Sequence, residues 1–166
     1  MDDYTITIVD AEVREVATNI PMTDGSRITE GVGVRITLRY GERVAVDESA
    51  PIAVTREQPK HWCQEYCQQT IAKLPRSMTP GEAVRDHGIH YETLANLGIP
   101  TPPQRRFVGE RAMLEYHART GRPGIYIENE LYREHARQVN AWIAAHPNLA
   151  ADYGVQVMDA NYQPLR

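Results

Sequence analysis

Apolar and polar residues alternate through most of the first 55 residues, which is the pattern of half-buried β-strands. The alternation begins at Tyr4 and changes phase near Val9, as it would at a β-bulge. Residues 21–26 then read as a turn, in which Asp24-Gly25 suits a hairpin. A second strand is marked by six alternating apolar positions: Ile28, Val32, Val34, Ile36, Leu38 and Tyr40.

The chain turns again at Gly41 into a short run at 43–46, and residues 51–54 add a short edge piece. Together these segments predict an antiparallel meander of three or four strands. The period then lengthens to that of a helix over residues 57–74. One apolar stripe defines this helix and predicts that it covers the sheet: Trp62, Cys63, Tyr66, Cys67, Thr70, Ile71 and Leu74.

The remaining residues read mainly as helix. Two short helices are expected within 79–99, a third over 103–119 and a fourth over 128–145, and residues 153–158 are expected to return as a strand. The prediction is therefore an α+β fold, with an N-terminal antiparallel β-meander covered by a helix and a mainly helical C-terminal half with a helix-turn-helix-like corner. We expect residues 1–75 to form the sheet and its covering helix, and residues 76–166 to pack on it or to share one compact domain with it.

Composition and charge describe an ordinary globular chain. Of its 166 residues, 42% are hydrophobic and 24% are charged. No apolar run approaches the ~20 residues of a membrane helix, and the start Met1-Asp2-Asp3 lacks the basic and apolar stretches of a secretory signal. The chain is therefore expected to be cytoplasmic and to bind no membrane.

The net charge of −4 is unevenly spread along the chain. Residues 1–55 carry 5 basic and 10 acidic groups, whereas residues 56–123 carry 10 basic and 7 acidic groups. A mildly basic middle is compatible with an anionic partner, although it is weaker than the basic patch of most dedicated nucleic-acid-binding proteins.

The segment 79–99 predicts a two-helix corner. Thr79 and Glu82 form a capping box, with Pro80 at the first helical position and Gly88 as the left-handed end of the helix. A second helix is expected from His90 to Leu97. The inward positions form a consistent apolar set: Ala83, Val84, Ile89, Leu94 and Leu97.

This pattern resembles the helix-turn-helix motif of bacterial regulators. The resemblance implies that the exposed side of the second helix contacts DNA through His90, Tyr91 and Asn96, with Asn96 pairing with adenine. Arg105 and Arg106 would then hold phosphates. However, the second helix has no Lys or Arg, and Glu92 lies on its exposed side. The alternative is a helical hairpin that only packs on its neighbours.

The two cysteines, Cys63 and Cys67, lie four apart on one face of the first helix. With His61 they offer three metal ligands, but structural zinc sites use four. Reduced core cysteines are the favoured interpretation, and we predict no metal site and no cofactor.

Tyrosine is unusually common, with nine Tyr against one Phe. Three of them cluster near the break at 121–124: Tyr116, Tyr126 and Tyr132. Because Tyr is enriched at protein interfaces, these side chains are candidates for contact with a partner or a second copy of the chain. The alternative is that they border a small core.

No nucleophile elbow, phosphate-binding glycine loop or dinucleotide motif is present. The leading hypothesis is a non-enzymatic binding protein that contacts a protein partner as a regulator, adaptor or inhibitor. The second is a DNA-associated regulator that uses residues 79–99. The third is an enzyme whose site is assembled from scattered residues.

Overall fold

The N-terminal sheet is built from three long antiparallel strands joined by tight turns. In a computed structural model, which describes residues 4–104, 110–123 and 125–159 without the side chains of 125–129, the strands are β1 (Ile6–Pro21), β2 (Arg27–Tyr40) and β3 (Arg43–Glu48). Gly25 and Gly41 take positive φ angles of 87° and 59° at the two turns, where glycine is favoured. The predicted meander is confirmed.

Two very short strands complete the sheet. β4 (Ile52–Ala53) pairs with β2, as predicted for an edge piece, and β5 (Ser77–Met78) pairs with β1. The strand order is β3-β2-β1-β5. β5 was not predicted, because two paired residues are too few to produce a period in the sequence.

The predicted phase shift in β1 is a bulge. The register with β2 breaks between Ile8 and Asp10, so Val9 has no partner in the ladder. Side chains alternate between the two faces of a regular strand, and the bulge reverses this alternation for the residues that follow it. Ile6 and Val13 therefore lie on the same side of the sheet although they are an odd number of residues apart. Val9 itself is exposed.

Helix α1 (Lys60–Ala72) packs on the sheet through its two cysteines. Cys63 and Cys67 are buried beside the inward residues of β2, which are Val32, Val34, Ile36 and Leu38. The predicted stripe was too wide, since Trp62 and Tyr66 are 44% and 53% exposed. The thiols are small, so they allow the helix to approach the sheet closely while the two large rings remain outside.

The corner at 79–99 has the predicted local structure. Helix α2 (Pro80–His87) begins with the Thr79–Glu82 capping box and ends at Gly88, whose φ is 65°. Helix α3 (Tyr91–Asn96) is shorter than expected, with only six residues. Four of the five predicted inward residues are buried, and Val84 is half-buried. Helix α3 packs on β3.

The chain divides into two compact units, Met1–Pro100 and Thr101–Arg166. The first unit includes the corner, because β5 pairs with β1 and α3 packs on β3. The fold is α+β, with an antiparallel N-terminal sheet followed by a mainly helical C-terminal half.

The second unit contains α4 (Glu110–Thr120), α5 (Ile125–Ala145) and α6 (Pro147–Tyr153). The described part of 153–158 does not form the expected strand: α6 ends at Tyr153, and only Met158 forms a single bridge. The side-chain amide of Asn140 fixes this segment, donating to the Met158 carbonyl at 2.7 Å and accepting from its N–H at 2.8 Å. Among the described residues no helix is long and apolar enough to cross a bilayer.

Candidate binding cleft

A cleft of about 460 Å³ opens in the N-terminal unit, beside β2, β3 and the C-terminal ends of α1 and α2. Its apolar wall comes from the sheet and from α1: Val34, Ile36, Ile52, Cys67 and Leu74. Its polar groups are Asp47, Ser49, Thr70, Lys73, Asp86 and His87, and Tyr66 also lines it. A mainly apolar wall with a few polar groups is the usual composition of a ligand site.

Asp47 is the buried carboxylate of the cleft, with 3% of the residue exposed. It lies on the inward face of β3, opposite Ile36. Its Oδ1 accepts from the His90 backbone N–H at 3.0 Å and from the Thr93 hydroxyl at 2.7 Å, and His90 Nδ1 lies 3.0 Å from the same oxygen. These bonds hold the first turn of α3 on β3.

The other carboxylate oxygen of Asp47, Oδ2, takes part in none of the hydrogen bonds among the described residues. In that part of the chain, Arg14 Nε is the one fully buried side-chain nitrogen or oxygen without a hydrogen bond. Oδ2 is therefore reached by solvent. Asp47 also lines the cleft.

Cys67 lies on the inner wall of the cleft. Its thiol is 3.8 Å from the Val32 carbonyl oxygen, to which it donates. Burial raises the pKa of Cys67, and the neighbouring Cys63 adds to the effect. The sulfur is therefore held as a neutral thiol at neutral pH, which makes it a poor nucleophile and a poor metal ligand.

Tyr66 joins the cleft to an exposed aromatic pair. Its ring lies 5.7 Å from that of Trp62, with 20° between the planes, so the two rings are stacked. They lie one turn apart on α1, each next to a buried cysteine in the sequence, on the exposed flank of the buried face. We call Trp62 and Tyr66 the aromatic pair; with the cleft it forms one continuous surface, because Tyr66 belongs to both.

The residues predicted to contact DNA differ in their surroundings. His90 is engaged with Asp47, although 59% of its side chain is exposed. Tyr91 is half-buried, and burial raises the pKa of its hydroxyl. Asn96 is exposed at the end of α3, while Arg105 and Arg106 lie outside the described residues. The nucleic-acid interface stays a prediction.

The tyrosines predicted at an interface have different surroundings. Tyr116 is 2% exposed, and its hydroxyl donates to Glu130 Oε1 at 3.2 Å. Its ring is therefore part of the interior of the structure. Tyr132 is half-buried on α5, and Tyr126 lies outside the side chains that the structure describes.

The cleft brings together residues that no sequence motif connects. Asp47, Tyr66 and Asp86 are separated by about twenty residues each, and they meet only because β3, α1 and α2 surround the same space. One signal was available in the sequence: Asp47 follows Ala45 on the inward phase of β3, where a charged residue is unexpected.

In the described part of the chain, no three His, Cys, Asp or Glu side chains are grouped as metal ligands. Cys63 and Cys67 are free, buried thiols.

Comparisons with protein-family models, with curated proteins and with solved structures found no match to this chain.

Proposed function

We propose that this chain is a non-enzymatic binding protein that recognises a protein partner through the aromatic pair and the adjoining cleft. The observation that carries the proposal is the exposure of two stacked aromatic rings on a helix whose adjacent cysteine face is buried on the sheet. Trp and Tyr are enriched among the residues that contribute most to protein–protein binding.

The size of the exposed surface supports a specific role. An aromatic side chain buries roughly 150–250 Å² when fully covered. Trp62 and Tyr66 are about half exposed, so a partner that covers both removes on the order of 150–250 Å² of mostly apolar surface from water, which is worth several kcal/mol. The stack also holds both rings in place before binding, which lowers the entropic cost of association.

Chemistry within the cleft agrees with binding rather than covalent catalysis. The one sulfur in its wall is a neutral, buried thiol. The acidic groups flank an apolar wall, and such an arrangement orients a bound side chain by hydrogen bonds and charge. A partner that contacts the aromatic pair can therefore insert one side chain into the cleft.

Site-specific photo-crosslinking tests the proposal. The full chain carrying p-benzoylphenylalanine in place of Tyr66 is irradiated in an extract of its native host, with and without nuclease. We expect a discrete protein adduct that survives nuclease treatment and is lost when Trp62→Ala is added. The matched control carries the same cross-linker in place of Val44, which is 57% exposed on the outer face of β3.

Two results would remove the proposal. One is adduct formation at position 44 equal to that at position 66, which would mean that exposure alone determines the reaction. The other is recovery of nucleic acid without protein, which would favour the DNA-associated regulator instead.

A further inference from the structure

We infer that the cleft accepts an arginine side chain presented by the protein partner. This inference rests on the proposed function, because it names the group that the partner inserts beside Tyr66. Its basis is the coincidence of a buried carboxylate, a second carboxylate, two helix C-termini and an aromatic ring around one cavity of about 460 Å³.

The two carboxylates give the cleft its preference for a cation. Asp47 is buried, lines the cleft and uses Oδ1 for its bonds to α3, whereas Asp86 is exposed on the last turn of α2. A carboxylate that has already lost most of its hydration gains more from a charged donor than an exposed carboxylate does. A guanidinium carries five N–H donors in one plane and satisfies such an oxygen well.

The ends of two helices reinforce this preference. Thr70, Lys73 and Leu74 bring the C-terminal end of α1 to the cleft, and His87 and Gly88 bring that of α2. The last carbonyl groups of a helix have no intrahelical partner and carry the negative end of its dipole. Both helices therefore favour a positive charge in the space between them.

Three basic side chains lie near the carboxylates: Lys73, His87 and His90, whose Nδ1 is 3.0 Å from Oδ1 of Asp47. Lys73 lines the cleft but is exposed, so its long side chain can extend the ammonium group into water. His87 is half-buried beside Asp86 in the sequence. Asp47 lies on β3, whereas Lys73 and His87 lie at the ends of α1 and α2. Asp47 is therefore the acceptor on the sheet side of the cleft.

The walls select arginine over lysine. The apolar wall from β2, β4 and α1 suits the aliphatic stem of either side chain. The ring of Tyr66 adds a flat surface at the rim, and it is already stacked on Trp62. A planar guanidinium stacks on such a ring and bonds to carboxylates at its edge, whereas an ammonium is a compact, strongly hydrated point charge.

Titration of the full-length chain with N-acetyl-arginine-N-methylamide, followed by two-dimensional NMR, tests this inference. We expect saturable shifts in the amides of 47–49, 66–74 and 86–88, with weak affinity because a single side chain is presented. The citrulline derivative has the same shape without the charge and is expected to bind at least about tenfold more weakly. The lysine derivative should fall between the two.

The variant that tests the charge is Asp86→Asn, because this exposed residue has no part in the anchoring of α3. It should weaken the arginine derivative about three- to fivefold, the effect of losing one solvated ion pair. Glu65→Gln is the matched control: it removes the same charge from α1 but lies outside the lining of the cleft. It should leave the affinity within about twofold.

Equal binding of the citrulline derivative, shifts outside the cleft, or equal effects of the two variants would each overturn the inference. The titration uses the purified chain alone, so its outcome is independent of the cross-linking experiment. A protein adduct at position 66 without arginine binding would remove this inference and leave the proposed function standing. Arginine binding without any protein adduct would contradict the proposed function. It would also contradict the claim that the arginine belongs to a protein partner.

Discussion

Replacement of Asp47 by alanine should release helix α3 from the sheet. Among the described residues, this carboxylate accepts the hydrogen bonds from the His90 N–H and the Thr93 hydroxyl. Thr93 is buried, so its hydroxyl would lose a charged acceptor in a place where water has little access. The same change would also remove the inner carboxylate of the cleft.

The magnitude follows from the two bonds that solvent cannot replace easily. Hydrogen bonds to a charged group contribute about 1.5–3 kcal/mol each. The His90 ring is mostly exposed, so water can replace its contact with Oδ1 at little cost. The two remaining bonds share one oxygen and are not additive, so Asp47→Ala should lower the free energy of unfolding of the first unit by about 2–4 kcal/mol.

Native-state hydrogen exchange of the full chain measures this quantity locally. Peptides covering residues 43–48 and 89–97 report the opening of β3 and α3, without a signal from the second unit. Asp47→Asn keeps one acceptor oxygen and should cost about half as much. Asp86→Ala is the control on the same cleft and should change stability by less than about 0.5 kcal/mol.

A double-mutant cycle with Thr93→Val checks the cause. If Asp47 acts through its bond to Thr93, the two changes should couple by about 1 kcal/mol. The reasoning is refuted if Asp47→Ala costs no more than Asp86→Ala. It is also refuted if the two changes at 47 and 93 are additive.

The remaining predictions use the same exchange measurement or urea unfolding. Thr79→Ala removes the cap that accepts from the backbone of α2 and should cost about 1 kcal/mol, whereas Thr79→Ser should restore most of it; equal costs would contradict this role. Gly31→Ala places a Cβ 2.8 Å from that of Pro51 and should cost about 1–3 kcal/mol; a neutral effect would show that the 51–53 segment moves freely. Burial raises the pKa of Cys67 above its ordinary 9.0, so the thiol of the unfolded chain ionises at a lower pH than that of the folded chain. The free energy of unfolding should therefore fall as pH rises above about 9, and it should fall less in Cys67→Ala. Identical pH profiles of the two proteins would exclude this cause.

The sheet was predictable because its signal is local and repetitive. The alternation of β2 and the phase shift at Val9 each correspond to a feature of the ladder. The capping box at Thr79 and the end of α2 at Gly88 were equally predictable from the sequence, since both depend on residues within one turn. In these elements, neighbours in the chain are also neighbours in space.

The width of the buried face of α1 was not predictable in the same way. Trp62 and Tyr66 continue the apolar period of the cysteines, and period alone assigns all four to the core. What decides the outcome is how closely the helix approaches β2, and this depends on the small thiols rather than on hydrophobicity. The aromatic pair therefore became visible only when the sheet was in place.

The corner at 79–99 shows why a local pattern does not fix a function. Glycine at the turn and aliphatic residues in both helices are required by any two helices that meet at a corner. Here the partner of the second helix is Asp47, a residue 43 positions away from the His90 that it binds. No local pattern carries that information, and the contact commits the N-terminal end of α3 to the sheet.

Asp47 anchors α3, and in our proposal it also binds the ligand. Oδ1 of Asp47 holds α3 on β3, and the same residue lines the cleft beside the end of α2. If a cation binds this carboxylate, as we propose, ligand binding and the position of the corner are thermodynamically linked. The linkage is reciprocal: if the ligand stabilises the position of the corner, then fixing the corner in that position raises the affinity for the ligand.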